Sequence, residues 1–223
     1  MRTDAKAGAH NDGALRLALP ARPRKRRTHA ERTAETRAKV IAAVVDTIAE
    51  NGFQGATAQA ITRKAGVTWG AVQHHFGGKD ALLLAVLEDS FRRFAERMDD
   101  VVVEGTTVAE RVSLFVDRAW EHFSSRHYRS TFEILLNYLG RDEHAGAGDW
   151  RTEMTRAWDR VWSHVFSDSE IPRRTNLMLQ HFTVSTLSGL AATLMLAGPD
   201  AALPRYELDV LKAALVATFA EEK

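Results

Sequence analysis

Residues 57–79 of this 223-residue chain, TAQAITRKAGVTWGAVQHHFGGK, predict two short helices joined by a tight turn. Gly66 stands where the first helix must end, because glycine adopts positive φ at little cost. Val67 follows as a hydrophobic plug, and Thr68 is placed to cap the second helix through its hydroxyl. The pattern is typical of a helix-turn-helix, whose second helix enters the DNA major groove. A similar corner also occurs inside other α-helical domains, so the rest of the chain has to decide between the two.

Composition excludes several classes of function. The chain has no cysteine, which rules out disulfides, thiolate catalysis and cysteine-ligated zinc. No apolar run approaches the ~20 residues that cross a bilayer, and no secretory signal is recognisable. The sequence also lacks an HExxH motif, a phosphate-binding loop and a nucleophile elbow. We therefore expect a cytoplasmic protein with no membrane partner and no cofactor, and we do not expect an enzyme.

Charge is distributed unevenly along the chain. Residues 1–85 hold fourteen Lys or Arg against seven Asp or Glu, whereas residues 86–223 hold sixteen against twenty-two. The net charge of +1 therefore conceals a basic front and an acidic back. This split predicts that the front binds a polyanion such as DNA and that the back does not.

A basic run lies in the N-terminal tail. Residues 1–31 are rich in Ala, Gly, Arg and Pro without periodicity, which predicts disorder. The run consists of Arg24, Lys25, Arg26 and Arg27. Such a run is often only a solvated tail, and its composition also permits a nuclear-import signal that nothing else supports. Placed just before a DNA-reading domain, it suits contacts to phosphates or to a minor groove.

The remaining sequence is helical in its periodicity, and no stretch keeps the period of two that a strand requires. A first helix is predicted over 30–51, where an Asn-Gly pair ends it, and a fourth over 79–98. The later helices are predicted over 107–126, 128–140, 148–167, 173–197 and 205–221. The predicted fold class is all-α.

The sequence from 37 to 82 resembles the DNA-binding domain of the TetR family of transcriptional repressors. The matching residues follow the family pattern without a gap; they are Ile41, Ala42, Gly52, Phe53, Thr57, Ile61, Ala65, Gly66, Val67, Thr68, Gly70, His75, Phe76, Lys79 and Leu82. Three positions depart from it, namely Thr62, Trp69 and Gln73, the last of which usually holds tyrosine. The resemblance implies a basic arm over 1–31, a helix-turn-helix domain over 32–80, and an effector-binding and dimerisation domain over 81–223.

The second helix of the motif offers residues for reading bases. Thr68, Trp69, Gln73 and His74 are able to face outward from it. Gln73 can pair with adenine, and Trp69 can press on a thymine methyl group or a sugar. Gly70 has no side chain, which would let the helix approach the DNA backbone closely.

Other residues of the motif suit phosphate groups. Thr57 is a good cap for the first helix, and the N–H groups that follow it could hold a phosphate. His75 and Lys79 match family positions that contact phosphate, and such contacts fix the position of the domain without reading sequence. We expect adjacent His74 and His75 to point to different helix faces, which excludes a shared metal ion.

The second half of the chain holds many large apolar residues, most of which should form a core. The resemblance implies that some line a cavity for a small apolar or amphipathic effector. The candidates are Trp120, Phe123, Phe132, Leu136, Trp158, Trp162, His181 and Phe182. Polar groups for such a cavity could come from Arg118, His122, Asn137, Tyr138 or His181. A metal site formed by His122 and His181 is a remote alternative.

The last two helices are apolar on more than one face, which is typical of helices that are buried or paired with a partner chain. The resemblance implies a two-fold dimer through a four-helix bundle that these helices form with their copies. The residues expected at the interface are Leu177, Val184, Ser188, Ala191, Met195, Leu208, Leu211 and Leu215.

Taken together, the sequence predicts a sequence-specific DNA-binding regulator. We expect a homodimeric repressor that binds a palindromic operator in double-stranded DNA and leaves it when an effector binds. One alternative keeps the fold but removes the sensor, giving a ligand-independent regulator or an activator. An α-helical enzyme with a basic tail is a remote option.

Overall fold

The computed structural model describes residues 28–139, 150–198 and 204–221. Within these ranges the chain is helical, without strands, as the periodicity predicted. The helices are α1 His29–Gly55, α2 Ala58–Ala65, α3 Trp69–Phe76, α4 Lys79–Glu96, α5 Val108–Phe123, α6 Arg126–Ile134, α7 Trp150–Val165, α8 Arg173–Ala197 and α9 Arg205–Glu221. A π-helical turn, Leu135–Leu139, continues α6. The basic run Arg24, Lys25, Arg26 and Arg27 lies outside the described residues.

Hydroxyl side chains fix the starts of five helices. Thr57 and Thr68 cap α2 and α3, as predicted, by accepting the backbone N–H three residues ahead. Ser125 does the same for α6, and Thr107 for α5. At Thr28, which the sequence analysis overlooked, a reciprocal capping box with Glu31 starts α1. Each hydroxyl satisfies a backbone donor that has no partner inside its helix, which stabilises the start by about 1 kcal/mol.

Helix α1 is interrupted at Gly52, whose φ of 71° is outside the helical region. The predicted end at the Asn-Gly pair is therefore correct for the regular part, and a further helical turn follows it. Just beyond the interruption, the backbone N–H of Phe53 donates to the carboxylate of Glu133 in α6 at 2.7 Å. On the same side, the hydroxyl of Ser130 donates to the carbonyl of Val45 at 2.9 Å. These two hydrogen bonds join α6 to α1, and Arg126 of α6 adds exposed contacts to Asp46 and Glu50 of α1.

The described residues form two apolar cores. We call α1, α2, α3 and the first half of α4 the head, and the remaining described helices the body. The head core contains Ile61 and Val72, but also Leu82 from α4 and Ile134 from α6. The body core is built around aromatic rings, with Phe115 lying 5.4 Å from Trp162 between ring centroids. Packing thus extends the head past the predicted boundary at residue 80, because α4 and α6 each contribute to both cores.

Helices α8 and α9 close the body, with one side buried against α5. No helix in the described part of the chain is long and apolar enough to span a membrane.

Candidate nucleic-acid interface and effector cavity

The helix-turn-helix is held by two fully buried side chains, Ile61 on α2 and Val72 on α3. Between them Gly66 has φ 67° and ψ 35°, a left-handed conformation that glycine adopts without strain. The hydroxyl of Thr68 then accepts the N–H of Ala71 at 3.2 Å. This arrangement fixes the angle at which α3 leaves the turn, and it leaves the opposite side of α3 in solvent.

That opposite side carries most of the predicted base-reading residues. Thr68, Gln73 and His74 are exposed, and Gly70 is exposed between them. Trp69 differs from the prediction, because it is half-buried and packs against the head core. Only part of its indole therefore remains available to DNA, since the rest helps to seat α3.

Gly70 is not required by the fold. A Cβ at this position would meet one atom within 4 Å, the hydroxyl oxygen of Thr68 at 3.9 Å. The residue is exposed and has ordinary helical backbone, since it is absent from the positive-φ glycines of the described chain. Room for a side chain exists, so the absence of one leaves α3 with a flat outer surface.

The predicted phosphate contacts surround this surface. Thr57 and Lys79 are exposed, and His75 is half-buried. The carbonyl of His75 accepts a hydrogen bond from the guanidinium of Arg37, which lies 4.3 Å over the ring of Phe76. Arg37 thus ties α1 to the end of α3 by a cation–π contact and a hydrogen bond.

The two adjacent histidines differ in exposure to solvent. The ring centroids of His74 and His75 lie 5.3 Å apart in an edge-to-face arrangement, although only His74 is exposed. No group of three or more His, Cys, Asp or Glu converges as metal ligands anywhere in the described ranges. No such group therefore forms around His122 or His181, the remote metal site considered above, within these ranges.

The sequence analysis missed several residues that border the same face. An open groove beside α3 is lined by residues of α1, α2 and α3, among them Thr36, Gln59, Arg63 and His75. Arg63 is exposed there, whereas its neighbour Lys64 is bound to Glu50 at 2.6 Å. The sequence could have predicted Arg63 as a DNA contact, because it is a basic residue on the outer side of α2, next to α3.

A cavity of about 370 Å³ lies in the body between α4, α5, α6, α7 and α8. Three of the predicted effector residues line it, namely Phe123, Trp158 and His181. The sequence analysis missed other lining residues, including Phe91 and Phe94 from α4. Its size is at the lower end of the ~300–1,000 Å³ typical of ligand pockets.

The other five predicted effector residues do not line this cavity. Trp120 and Trp162 are buried in the body core, because aromatic and aliphatic neighbours surround them. Phe132 packs against the edge of that core. Leu136 is 63% exposed in the π-helical turn, and Phe182 is 45% exposed on the outer side of α8.

Polar groups around the cavity are mostly paired within the protein. The hydroxyls of Tyr128 and Ser188 are hydrogen-bonded at 3.0 Å. His122 lies 3.5 Å from the hydroxyl of Ser90. Burial, with smaller contributions from His127 and Arg97, lowers the pKa of His122 to about 3, so its imidazole is neutral at physiological pH.

The predicted polar candidates Arg118 and Asn137 serve the structure instead. The guanidinium of Arg118 binds Asp100 and the carbonyl of Arg97. The amide of Asn137 donates to the carbonyl of Glu133 at 2.9 Å. The side chain of Tyr138 is outside the described part of the structure.

Most of the predicted dimerisation residues face inward on α8 and α9. Packing against α5 turns them toward the chain's own core or cavity, although Leu177 is also 51% exposed. Ala191, Leu208, Leu211 and Leu215 are buried in the body core, and Met195 packs against it. Leu177, Val184 and Ser188 line the cavity.

A different stripe is left unpartnered on each helix. On α8 one set of exposed residues recurs every three or four positions; it consists of Met178, Phe182, Ser185, Gly189, Thr193 and Leu196, and Leu177, His181 and Ala197 are exposed beside it. On α9 the same spacing gives Tyr206, Val210, Ala213, Ala217 and Ala220. We call these two stripes together the outer face. It combines large apolar side chains with small ones that permit close helix packing.

Comparisons with known proteins agree with this architecture. Residues 40–86 match the family described as bacterial regulatory proteins, tetR family. The HTH-type transcriptional regulator SrpR of Pseudomonas putida is 33% identical over 188 residues, covering 78% of this chain and 79% of SrpR. CymR, a second HTH-type transcriptional regulator of Pseudomonas putida, is 32% identical over 112 residues, which span 50% of this chain and only 55% of CymR. Both relatives are transcriptional regulators and not enzymes.

A solved structure shares the fold. FadR from Bacillus subtilis, a transcriptional regulator crystallised in complex with stearoyl-CoA, superposes with a TM-score of 0.62 at 16% identity. The superposition covers 83% of this chain and 98% of FadR.

Proposed function

The chain belongs to the TetR family of bacterial regulatory proteins, and on that premise we propose that it is a homodimeric repressor released from its operator by a small molecule. The observation that carries the proposal is the outer side of α3. Exposed Gln73 and Thr68 stand there beside a glycine, and α2 supplies an exposed arginine next to them. Such a surface offers hydrogen bonds to base edges and charge for phosphates, which is what major-groove reading requires.

Within this proposal the residues of the head divide into two roles. Gln73 and Thr68 read base edges, with the exposed part of Trp69 against a methyl group or a sugar. Arg63 and Lys79, together with the residues near Thr57 and His75, hold phosphates and set the register. The run from Arg24 to Arg27 adds charge from the tail.

The proposed dimer forms through the outer face of α8 and α9. Phe182 on α8 is 45% exposed, and Tyr206 and Val210 on α9 are 78% and 51% exposed. Exposing these apolar side chains to water is unfavourable, and packing against the same helices of a partner would bury them. Exposed Gly189 and the alanines of α9 would let backbones approach closely. A two-fold axis through this face would set two heads on one side of the DNA, ~34–36 Å apart or somewhat more.

The proposed effector site is the cavity of the body. Its walls are apolar with a few polar groups, the composition typical of small-molecule pockets. FadR, whose fold this chain shares, was crystallised in complex with stearoyl-CoA, which supports a ligand-binding role for this fold.

Two helices connect the cavity with the head. In α4, Phe91 and Phe94 lie at the cavity while Leu82 and Leu83 lie in the head core. In α6, Thr131 lies at the cavity while Glu133 holds the backbone of α1. A ligand that displaces these helices would change the angle of the head, provided that it binds the displaced state more tightly.

The first experiment selects bound DNA from a random pool with the full chain and then titrates the selected site across salt. We expect a palindromic site and a steep fall of affinity with salt, because two heads displace many counterions. Binding without sequence preference would refute the operator-reading function. A thermal-shift screen against a metabolite panel then identifies effectors, since a ligand of the native state raises stability.

A second experiment tests the route through α6. Glu133→Ala removes the acceptor of the Phe53 N–H, so a compound from the screen should bind the variant with unchanged affinity but release less DNA. The matched control is Arg126→Ala, which removes exposed ion pairs with Asp46 and Glu50 at the same helix junction. Exposed pairs contribute little, so the control should release DNA normally. Equal release by both variants would exclude Glu133 from the route.

A further inference from the structure

Aromatic rings form the walls of the cavity. Phe94 and Trp158 are stacked, with centroids 5.1 Å apart and planes at 5°. Phe123 and Tyr128 lie 4.5 Å apart on another side. A cavity with such walls favours a flat apolar ligand, because ring faces and edges give dispersion contacts over most of its surface.

Charge complementarity is missing from these walls. The described residues that line the cavity include no Asp, Glu, Lys or Arg. Of its two histidines, His122 is held neutral by burial and His181 is exposed to solvent, which screens interactions with a ligand. Burying a charged ligand without a counter-charge costs far more than burying a neutral one. The walls therefore disfavour both cations and anions.

Most polar groups of the lining already have partners. The hydroxyl of Thr131 donates to the carbonyl of His127 at 3.1 Å, and the amide of Gln180 donates to the carboxylate of Asp159 at 3.1 Å. The exception is Trp158, which is only 8% exposed and whose indole N–H is buried with no hydrogen-bond partner among the described residues. A buried donor without an acceptor destabilises the protein. A ligand whose acceptor displaces the side chains that cover this nitrogen would remove that cost.

We propose that the cavity binds a neutral, largely apolar aromatic molecule whose single hydrogen-bond acceptor pairs with the indole N–H of Trp158. The proposed function enters only in naming this molecule as the effector. The cavity, the lack of charged residues in its described lining, and the donor without a described partner are all features of the body alone.

The test is isothermal titration of the full chain, free of DNA, with four naphthalenes of similar size. These are 2-acetylnaphthalene, which is neutral with an acceptor, 2-ethylnaphthalene, which has no acceptor, 2-naphthoate and the 2-naphthylmethylammonium ion. We expect the acetyl compound to bind about three- to tenfold more tightly than the ethyl compound, the usual effect of one hydrogen bond. The two ions should bind at least about tenfold more weakly than the acetyl compound.

Two tryptophan variants assign the acceptor contact. Trp158→Phe keeps an aromatic ring but removes the donor, so the preference for the acetyl over the ethyl compound should disappear. Trp162→Phe is the matched control, because the indole N–H of Trp162 is also buried without a partner in the described chain but lies in the core away from the cavity. Its preference should be unchanged. Met154→Trp, which fills space at the cavity wall, should abolish binding of all four compounds.

Each contrary result overturns the proposal. One such result is that either ion binds more tightly than the acetyl compound, or that none of the four compounds binds. The others are that Trp158→Phe still prefers the acetyl over the ethyl compound, or that Met154→Trp still binds the compounds. Failure of the proposed function is distinguishable from all of them. In that case the acetyl compound binds the free protein as described but leaves the affinity for the selected DNA site unchanged.

Discussion

The head and the body place their apolar side chains differently. In the head, Ile61 and Val72 go to one small core, and the outer side of α3 is left to polar residues and a glycine. In the body, α8 alone has three destinations for apolar residues: Leu187 is in the core, Val184 is at the cavity, and Phe182 is on the outer face. The head thus has a single core and a polar outer side, whereas the body has three apolar environments, which suit the ligand and the partner proposed for it.

The largest mutational effect is expected on the outer face, where a charge would test whether the body binds a partner through α8. Phe182→Glu would place two carboxylates near a two-fold axis, where burial and mutual repulsion both oppose association. We expect the dimer dissociation constant to rise at least about 100-fold, or about 2.7 kcal/mol, by analytical ultracentrifugation. Leu114→Glu, at an exposed leucine of α5, is the control and should leave the dimer intact. A Phe182→Glu chain that sediments as the wild type does would remove α8 from the interface.

A second prediction concerns the pH dependence of stability that the buried His122 of the body causes. The pKa of His122 is about 3 in the folded chain because of burial, against an ordinary 6.5. The unfolded chain therefore binds the proton more readily, so the stability is fully present above pH 6.5 and is lost as pH falls toward 3. Between pH 7 and pH 5 the free energy of unfolding should fall by about 2 kcal/mol from this residue alone.

Urea unfolding of the wild type and of His122→Phe at the two pH values measures that loss. The variant should lose about 2 kcal/mol less than the wild type, whatever its stability at pH 7. Equal pH dependence of the two proteins would mean that His122 is solvated or protonated in the folded state.

The same difference between head and body explains what could be predicted from the sequence. In the head, the caps at Thr57 and Thr68 and the turn at Gly66 depend on residues within four positions, so local patterns identify them. The capping box at Thr28 was equally local and was overlooked. All-α class and most helix bounds in the body also followed from periodicity.

The sequence did not predict which side of each body helix faces the core. Trp158 and Trp162 are four residues apart on α7 and both are buried in the body core, yet only Trp158 also borders the cavity. On α8, buried Ala191 and exposed Phe182 contradict the rule that the larger apolar residue is inside. Neighbouring helices decide these positions, and periodicity cannot choose a side when a helix is apolar on more than one.

A third prediction sharpens the comparison on the side of the head, where Gln73 should serve DNA alone. Gln73→Ala removes an exposed side chain, so stability should stay within about 0.5 kcal/mol. Affinity for the selected operator should fall about tenfold while affinity for unrelated DNA stays constant, because a bidentate base contact contributes discrimination of about 1–3 kcal/mol. Lys79→Gln is the contrast: it should weaken binding to both DNAs alike and reduce the salt slope by about one. Fluorescence anisotropy at several salt concentrations separates the two patterns.

The smallest expected effects compare one glycine in each region. Gly70 on α3 and Gly189 on α8 are both exposed, and a Cβ would meet only the Thr68 hydroxyl at 3.9 Å at the first and nothing within 4 Å at the second. Alanine is the better helix former, so Gly70→Ala should raise the free energy of unfolding by about 0.5–1 kcal/mol. Operator affinity should nevertheless fall about threefold or more, because the methyl group stands between α3 and DNA.

Gly189→Ala should instead weaken the dimer and leave the DNA contacts of each head unchanged. Thermal unfolding, sedimentation and anisotropy of the two variants give the full comparison. If Gly70→Ala is stabilised and binds operator as tightly as the wild type, the glycine has no role in the approach to DNA. If it is destabilised instead, the space beside Gly70 is occupied and α3 does not present a flat surface. Gly70→Ala must therefore both gain stability and lose operator affinity. Only that combination supports the view that Gly70 lowers the stability of α3 but allows close approach to DNA.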